Sequence, residues 1–134
     1  MKVFIVRSKY GKIRFHFLED RAPVTCRVFL KRLPFKISAV QARFAGEEIW
    51  IPQGPLLKVK EENSTRRPKF GGIGYVVPKK NNDLSRSLAL IYGDALLSEP
   101  INVFGRVHKA DGYRLRKLGK NIWLKGRTLL DFTL

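Results

Sequence analysis

Two adjacent carboxylates, Glu47 and Glu48, follow closely on Arg43. This stretch has the residue types that proton transfer or the binding of a charged group requires. In a strand, neighbouring side chains face opposite sides, so the two acids need not act as a pair. They read as a solvated bend whose acids meet nearby cations. The alternative is that one of them points into a pocket and meets Arg43. The two histidines, His16 and His108, lie far apart without a metal-ligand spacing, and Cys26 is the only thiol. Cys26 has no base close in sequence and no CxxC partner, so it reads as a small core residue. The segment Gly71-Gly72-Ile73-Gly74 precedes an apparent strand. A phosphate-cradling loop would need a helix N-terminus there, so the glycines read as a turn. No GxSxG elbow, P-loop or HExxH occurs. Neither a cofactor nor a metal is expected.

These residues need elements to position them. Val3 to Val6 forms a short β-rich run, Ser8 to Gly11 a turn, and Ile13, Phe15 and Phe17 alternate with Lys12, Arg14 and His16. That alternation predicts a half-buried strand with a basic outer face, on which His16 is exposed. A helix opens at Pro23 and stops before Pro34, with Val24, Val28, Phe29, Leu30 and Leu33 as its apolar stripe. Further strands are expected around Val40–Phe44, Ile49–Ile51, Leu57–Val59, Ile73–Val77, Ser87–Tyr92, Ile101–Val107, Ile122–Leu124 and Thr128–Phe132. Gly105 marks a bulge within its strand. Glu61 to Phe70 reads as an exposed loop, and Tyr113–Leu118 as a short helical turn ended by Gly119. The Ser87–Tyr92 run is apolar on both sides, as in a strand covered on both faces. The pattern predicts one mainly β domain over residues 1–134. Its architecture is a closed, mostly antiparallel barrel of about eight strands capped by two short helices.

The chain has 134 residues, with 27 Lys and Arg against 11 Asp and Glu, a formal charge of +16. The excess is uneven: residues 1–46 and 100–134 are strongly basic, while residues 47–99 carry eight basic and seven acidic side chains. Such a field attracts polyanions. Lys12, Arg14, Arg66, Arg67, Arg114, Arg116 and Lys117 are the outward candidates, with Tyr10, Tyr113 and Trp123 as stacking surfaces. A lone thiol fits a reducing compartment, and no apolar run is long enough to span a bilayer or act as a signal peptide. The expectation is a soluble cytoplasmic protein without a membrane partner, its oligomeric state left open.

Ala22-Pro23-Val24-Thr25-Cys26-Arg27-Val28-Phe29-Leu30 resembles the first helix of cyclophilins, the peptidyl-prolyl isomerases, and Val103-Phe104-Gly105-Arg106-Val107 resembles a later cyclophilin strand. Gly46-Glu47-Glu48-Ile49-Trp50, Gly72-Ile73-Gly74-Tyr75 and the later Asn102-Val103 with Gly105 are similar to short prokaryotic cyclophilin-like proteins of unknown function. The resemblance implies a cyclophilin-like fold. It places Arg43 where cyclophilins carry the catalytic arginine, Leu90 at a pocket phenylalanine, Ile101 at a pocket histidine and Leu96 near a pocket tryptophan. Only the arginine is retained, so the implied isomerase pocket is degenerate.

The expected function is therefore a binding module for a peptide or small molecule. Arg43, Glu47, Glu48, Trp50, Leu90 and Tyr92 are its candidate lining residues. One alternative is a divergent prolyl isomerase using Arg43 as a tentative catalytic residue. A guanidinium can weaken the amide resonance that sets the roughly 18–20 kcal/mol barrier. The other is a basic nucleic-acid- or ribosome-associated protein. Trp50 and Trp123 also have a simpler reading, as fillers of the core or the barrel end.

Overall fold

In the computed structural model, which describes residues 2–134, the alternating N-terminal runs form a hairpin. Strand β1 (Val3–Ser8) pairs antiparallel with β2 (Gly11–Phe17), and Phe4 lies opposite Phe15. Gly11 makes the turn with φ +116°, a conformation that side chains with a Cβ rarely adopt. Helix α1 (Pro23–Arg32) follows, then β3 (Phe35–Gln41), β4 (Gly46–Ile51), β5 (Ser64–Thr65), β6 (Gly72–Tyr75), β7 (Leu88–Ala95) and β8 (Ile101–Val107). A single 3-10 turn at Lys109–Asp111 leads into α2 (Gly112–Lys125), and β9 (Thr128–Thr133) ends the chain.

The strand order is β2-β1-β9-β3-β4-β7-β6-β8, and β8 pairs back onto β2 to close an eight-stranded barrel. The short β5 adds to the outer edge of β8. Every pairing is antiparallel. Closure is what permits so basic a chain to leave no long strand edge unpaired. The barrel is filled by aromatic rings. Phe4 touches Phe15, Phe17, Phe29 and Phe104, and Phe35 stacks on Phe132. Gly105 faces inward, where a Cβ would meet the Ile73 side chain at 2.6 Å, and the β6–β8 register shifts beside it.

Several elements differ from the sequence expectation. The buried face of α1 is Thr25, Cys26 and Phe29, whereas Val24 is 38% exposed. A polar network turns Thr25 inward. Its Oγ1 donates to Glu62 at 2.7 Å and accepts from Asn102 Nδ2 at 2.8 Å, while Glu62 also takes the backbone N–H groups of Val24 and Thr25. Leu57–Val59 is not a strand. Leu57 is buried because the Tyr75 hydroxyl accepts its N–H and donates to the Pro55 carbonyl, pinning an irregular segment against the core. The expected loop at 61–70 contributes β5. The short helical turn and the strand at Ile122–Leu124 are instead one fourteen-residue helix, α2, running through Gly119. Leu115, Leu118, Gly119 and Ile122 share its buried stripe at helical spacing. No helix is long and apolar enough to cross a membrane.

Candidate functional site

Strand alternation divides the predicted site residues between two faces. On β4, Ile49 and Ile51 join the barrel interior, and Glu48 and Trp50 lie on the outer face. On β7, Leu88, Leu90 and Tyr92 point inward, while Ala89 and Ile91 point outward. The register pairs Glu48 with Ile91 and Trp50 with Ala89, so these four build one outer surface. Ala42, Ala45, Val76, Leu97 and Ile101 cover it and make a second, smaller apolar core outside the barrel.

Glu48 is only 6% exposed. Its carboxyl lies in a narrow cleft with Phe44, Trp50, Leu97 and Glu99, whose free volume of about 20 Å³ is the size of one water. Among the described residues no side chain or backbone group hydrogen-bonds that carboxyl, and burial pushes its pKa up to about 7. An apolar wall disfavours the charged form, so near neutral pH the group exchanges its proton readily. Trp50 is held by its Nε1, which donates to Ser87 Oγ at 3.0 Å. Phe44, itself 68% exposed, lines the cleft and stands edge-on to Trp50 at 5.7 Å.

The other candidates are elsewhere. Arg43, exposed in the turn between β3 and β4, lays its guanidinium 4.4 Å over the Trp123 ring and donates from Nη2 to the Trp123 carbonyl at 2.9 Å. It caps the last turn of α2, where cations are favoured. Glu47 accepts the Asp94 N–H at 3.0 Å, with its carboxyl over Gly93. Neither acid forms an ion pair among the described residues, so Arg43 meets neither. The expected solvated bend thus holds one buried acid and one that caps a strand backbone. Leu90 is fully enclosed in the barrel. The Tyr92 ring lies beneath Gly119 of α2, and its hydroxyl donates to Gln41 Oε1. Burial, and then the Glu47 charge, raise the Tyr92 pKa. The six candidates therefore do not form one pocket: Glu48 and Trp50 share the outer surface, Leu90 and Tyr92 face inward, and the Glu47 and Arg43 charges act near Tyr92. Ile101 and Leu97 pack there as apolar cover, while Leu96 is exposed.

Sequence reasoning missed Glu99 and Phe44 as cleft residues, because the connection that brings Glu99 over β4 has no periodic signal. It also missed that barrel closure brings His16 and His108 together, with Nε2 and Nδ1 2.7 Å apart. Their outward position on β2 and just after β8 was the one available hint. The Gly71–Gly74 run is a turn entering a strand, as expected: Gly71 turns with φ +87°, β6 begins at Gly72, and the Gly71 and Gly72 N–H groups are spent on the carbonyls of Ile91 and Lys69.

The family described as a protein of unknown function, DUF3830, matches residues 6–134. The chain belongs to this family. Among curated proteins, none matches the chain. The DUF3830 barrel is similar to three solved structures at identities that speak to fold alone. McbB in complex with tryptophan superimposes with a TM-score of 0.79 at 17% identity, over 97% of this chain and 44% of McbB. The chain therefore spans less than half of McbB. The hypothetical protein AF2241 from Archaeoglobus fulgidus gives 0.67 at 21% identity, over 98% of this chain and 92% of that one. A Cryptosporidium parvum cyclophilin-type peptidyl-prolyl cis-trans isomerase, solved in the presence of the dipeptide Ala-Pro, gives 0.70 at 15% identity, over 99% and 98%. The DUF3830 barrel is a cyclophilin-like barrel.

Proposed function

We propose that the protein is a binding module without prolyl isomerase activity, and that it receives a cationic group of a peptide or small molecule beside Glu48. The observation that carries this reading is Glu48, a residue only 6% exposed whose carboxyl no protein group hydrogen-bonds among the described residues, in a cleft lined by Trp50, Phe44 and Glu99. An acid held against apolar walls without a protein donor is costly to ionise, and a ligand that supplies the missing donors offsets that cost. An ammonium or guanidinium fits on three counts. It donates to Glu48, it is attracted by Glu99, and it can lie against the aromatic faces of Trp50 and Phe44. Admitting such a group requires the exposed Phe44 ring to turn away from Trp50, since the cleft as it stands is the size of one water. The similarity to structures containing tryptophan or Ala-Pro is consistent with ligand binding by this fold. The isomerase alternative is disfavoured because the Arg43 guanidinium is engaged by the Trp123 ring and carbonyl.

Titration with N-acetyl-arginine amide, followed by NMR of the Trp50 indole N–H, tests the proposal. The signal should shift in the wild type, and Glu48→Gln should weaken binding roughly tenfold or more. Binding should tighten between pH 6 and pH 8, because the ligand prefers the ionised carboxylate and that group titrates at about 7. An indole that does not respond, or equal affinity in Glu48→Gln, would sink the proposal. In a proline-peptide assay the wild type and Arg43→Ala should both proceed at the uncatalysed rate. Turnover lost in Arg43→Ala would favour the isomerase instead.

A further inference from the structure

On the opposite side of β8 from its aromatic core lies a hollow of about 380 Å³, within the size range of small-molecule sites. We propose that it binds a small organic phosphate of mononucleotide size. This proposal is independent of the Glu48 cleft. Four cations converge on the hollow from three parts of the chain: Arg21 before α1, Arg67 and Lys69 between β5 and β6, and Arg106 on β8. The only carboxylate among its lining residues is Asp20, whose Oδ2 reaches Arg21 Nε at a loose 3.9 Å. Among the described residues, the side chains of Arg67, Lys69 and Arg106 form neither an ion pair nor a hydrogen bond within the protein. Like charges gathered in a concavity repel one another and focus a positive potential that an anion relieves.

The composition of the wall narrows the ligand class. Guanidinium forks match phosphate oxygens in pairs, which favours a phosphoryl group over a single point anion. Asn63 and Thr65 add polar edges beside Phe70, Pro68, Val103 and Leu18, which offer an apolar surface to the rest of the molecule. Phe70 is already braced from one side by the Arg116 guanidinium, 4.1 Å from the ring centroid. One bounded hollow with one aromatic wall suits a single small ligand. A nucleic-acid strand would need a continuous groove with successive stacking platforms.

The test is calorimetric titration of the full chain with adenosine monophosphate, adenosine and inorganic phosphate. It compares the wild type, Arg106→Glu, Arg67→Glu and the charge-matched control Lys31→Glu on α1. All three positions are exposed, and circular dichroism confirms that each variant is folded. Adenosine monophosphate should bind the wild type at least tenfold more tightly than either adenosine or phosphate. Arg106→Glu and Arg67→Glu should each lose roughly tenfold or more, and Lys31→Glu should match the wild type. Equal binding of nucleotide and adenosine would overturn the proposal. So would phosphate binding as tightly as the nucleotide, or an equal loss in Lys31→Glu. A single-stranded RNA oligonucleotide that binds while the mononucleotide stays silent would also overturn it, in favour of a strand-binding surface.

Discussion

Asp111 receives three hydrogen bonds from one residue, Arg14, on a strand far away in sequence. The Arg14 backbone N–H and Nε both donate to Oδ2, at 2.8 and 2.9 Å, and Nη2 donates to Oδ1 at 3.0 Å. This forked contact ties β2 to the turn that launches α2. Hydrogen bonds from Arg14 hold the Asp111 carboxyl down to about 2, against an ordinary value of 3.8. A depressed folded value means that the contribution is complete above pH 4 and is lost as the pH falls towards 2. Urea unfolding at several pH values should show this acid-side loss, of about 1–2 kcal/mol, in the wild type but not in Asp111→Asn. The variant should already be weaker at neutral pH by about 1–3 kcal/mol, since Arg14 loses the charge and one of its two acceptor oxygens, an amide NH2 group standing in its place.

Glu48 should give the opposite slope. Its folded value of about 7 lies above the ordinary 4.5, so between these values the native state holds a proton that the unfolded chain has released. Stability should therefore fall as the pH rises from 4.5 to 7 and level off beyond, by up to about 3 kcal/mol. Glu48→Gln, neutral throughout, should abolish that slope and unfold at higher urea than the wild type at pH 8. A wild-type profile flat across this window would contradict the burial argument.

Gly119→Ala pits helix propensity against packing. In an exposed helix, alanine would gain about 1 kcal/mol over glycine. Here a Cβ at residue 119 would run into the Tyr92 ring, which fills the space above the barrel end. Overpacking of this kind costs about 1–3 kcal/mol, so packing should win and the melting temperature should drop. A rise in melting temperature would show that α2 can lift off Tyr92 at little cost.

Cys26 should be chemically silent in the native protein. Its thiol donates to the Phe104 carbonyl at 3.3 Å, and burial pushes its pKa up to about 12. The thiolate is the reactive form, and here it is both scarce and enclosed. A thiol-specific disulfide reagent should label the folded chain only as fast as the barrel opens, and label the urea-unfolded chain at once. Rapid stoichiometric labelling without denaturant would mean that α1 detaches easily.

Short-range patterning made the barrel legible. The alternation of Ile13, Phe15 and Phe17, the two-sided apolar run through β7 and the Pro23–Pro34 brackets of α1 each depend on residues a few positions apart. Helical spacing was equally present from Leu115 to Ile122, but Gly119 disguised it. A glycine read alone looks like a stop, and only the Tyr92 ring against it explains why no side chain belongs there. The same limit hid the inward turn of Thr25 in place of Val24 on α1, which Thr25, Glu62 and Asn102 set from three separate segments.

The sequence alone determined that a mostly antiparallel β-barrel forms and that the chain is strongly basic, because strand period and charge are local properties; its cyclophilin-like character came from the resemblance of short motifs. It could not determine which charges would be buried, paired or left free. Tertiary structure decided that Glu48 is walled in while Glu47 beside it caps a backbone, and that Arg43 is engaged by Trp123. It also gathered Arg21, Arg67, Lys69 and Arg106 around one hollow. The physical reason is that the environment of a charge depends on what distant segments place against it, and that is settled only when the barrel closes.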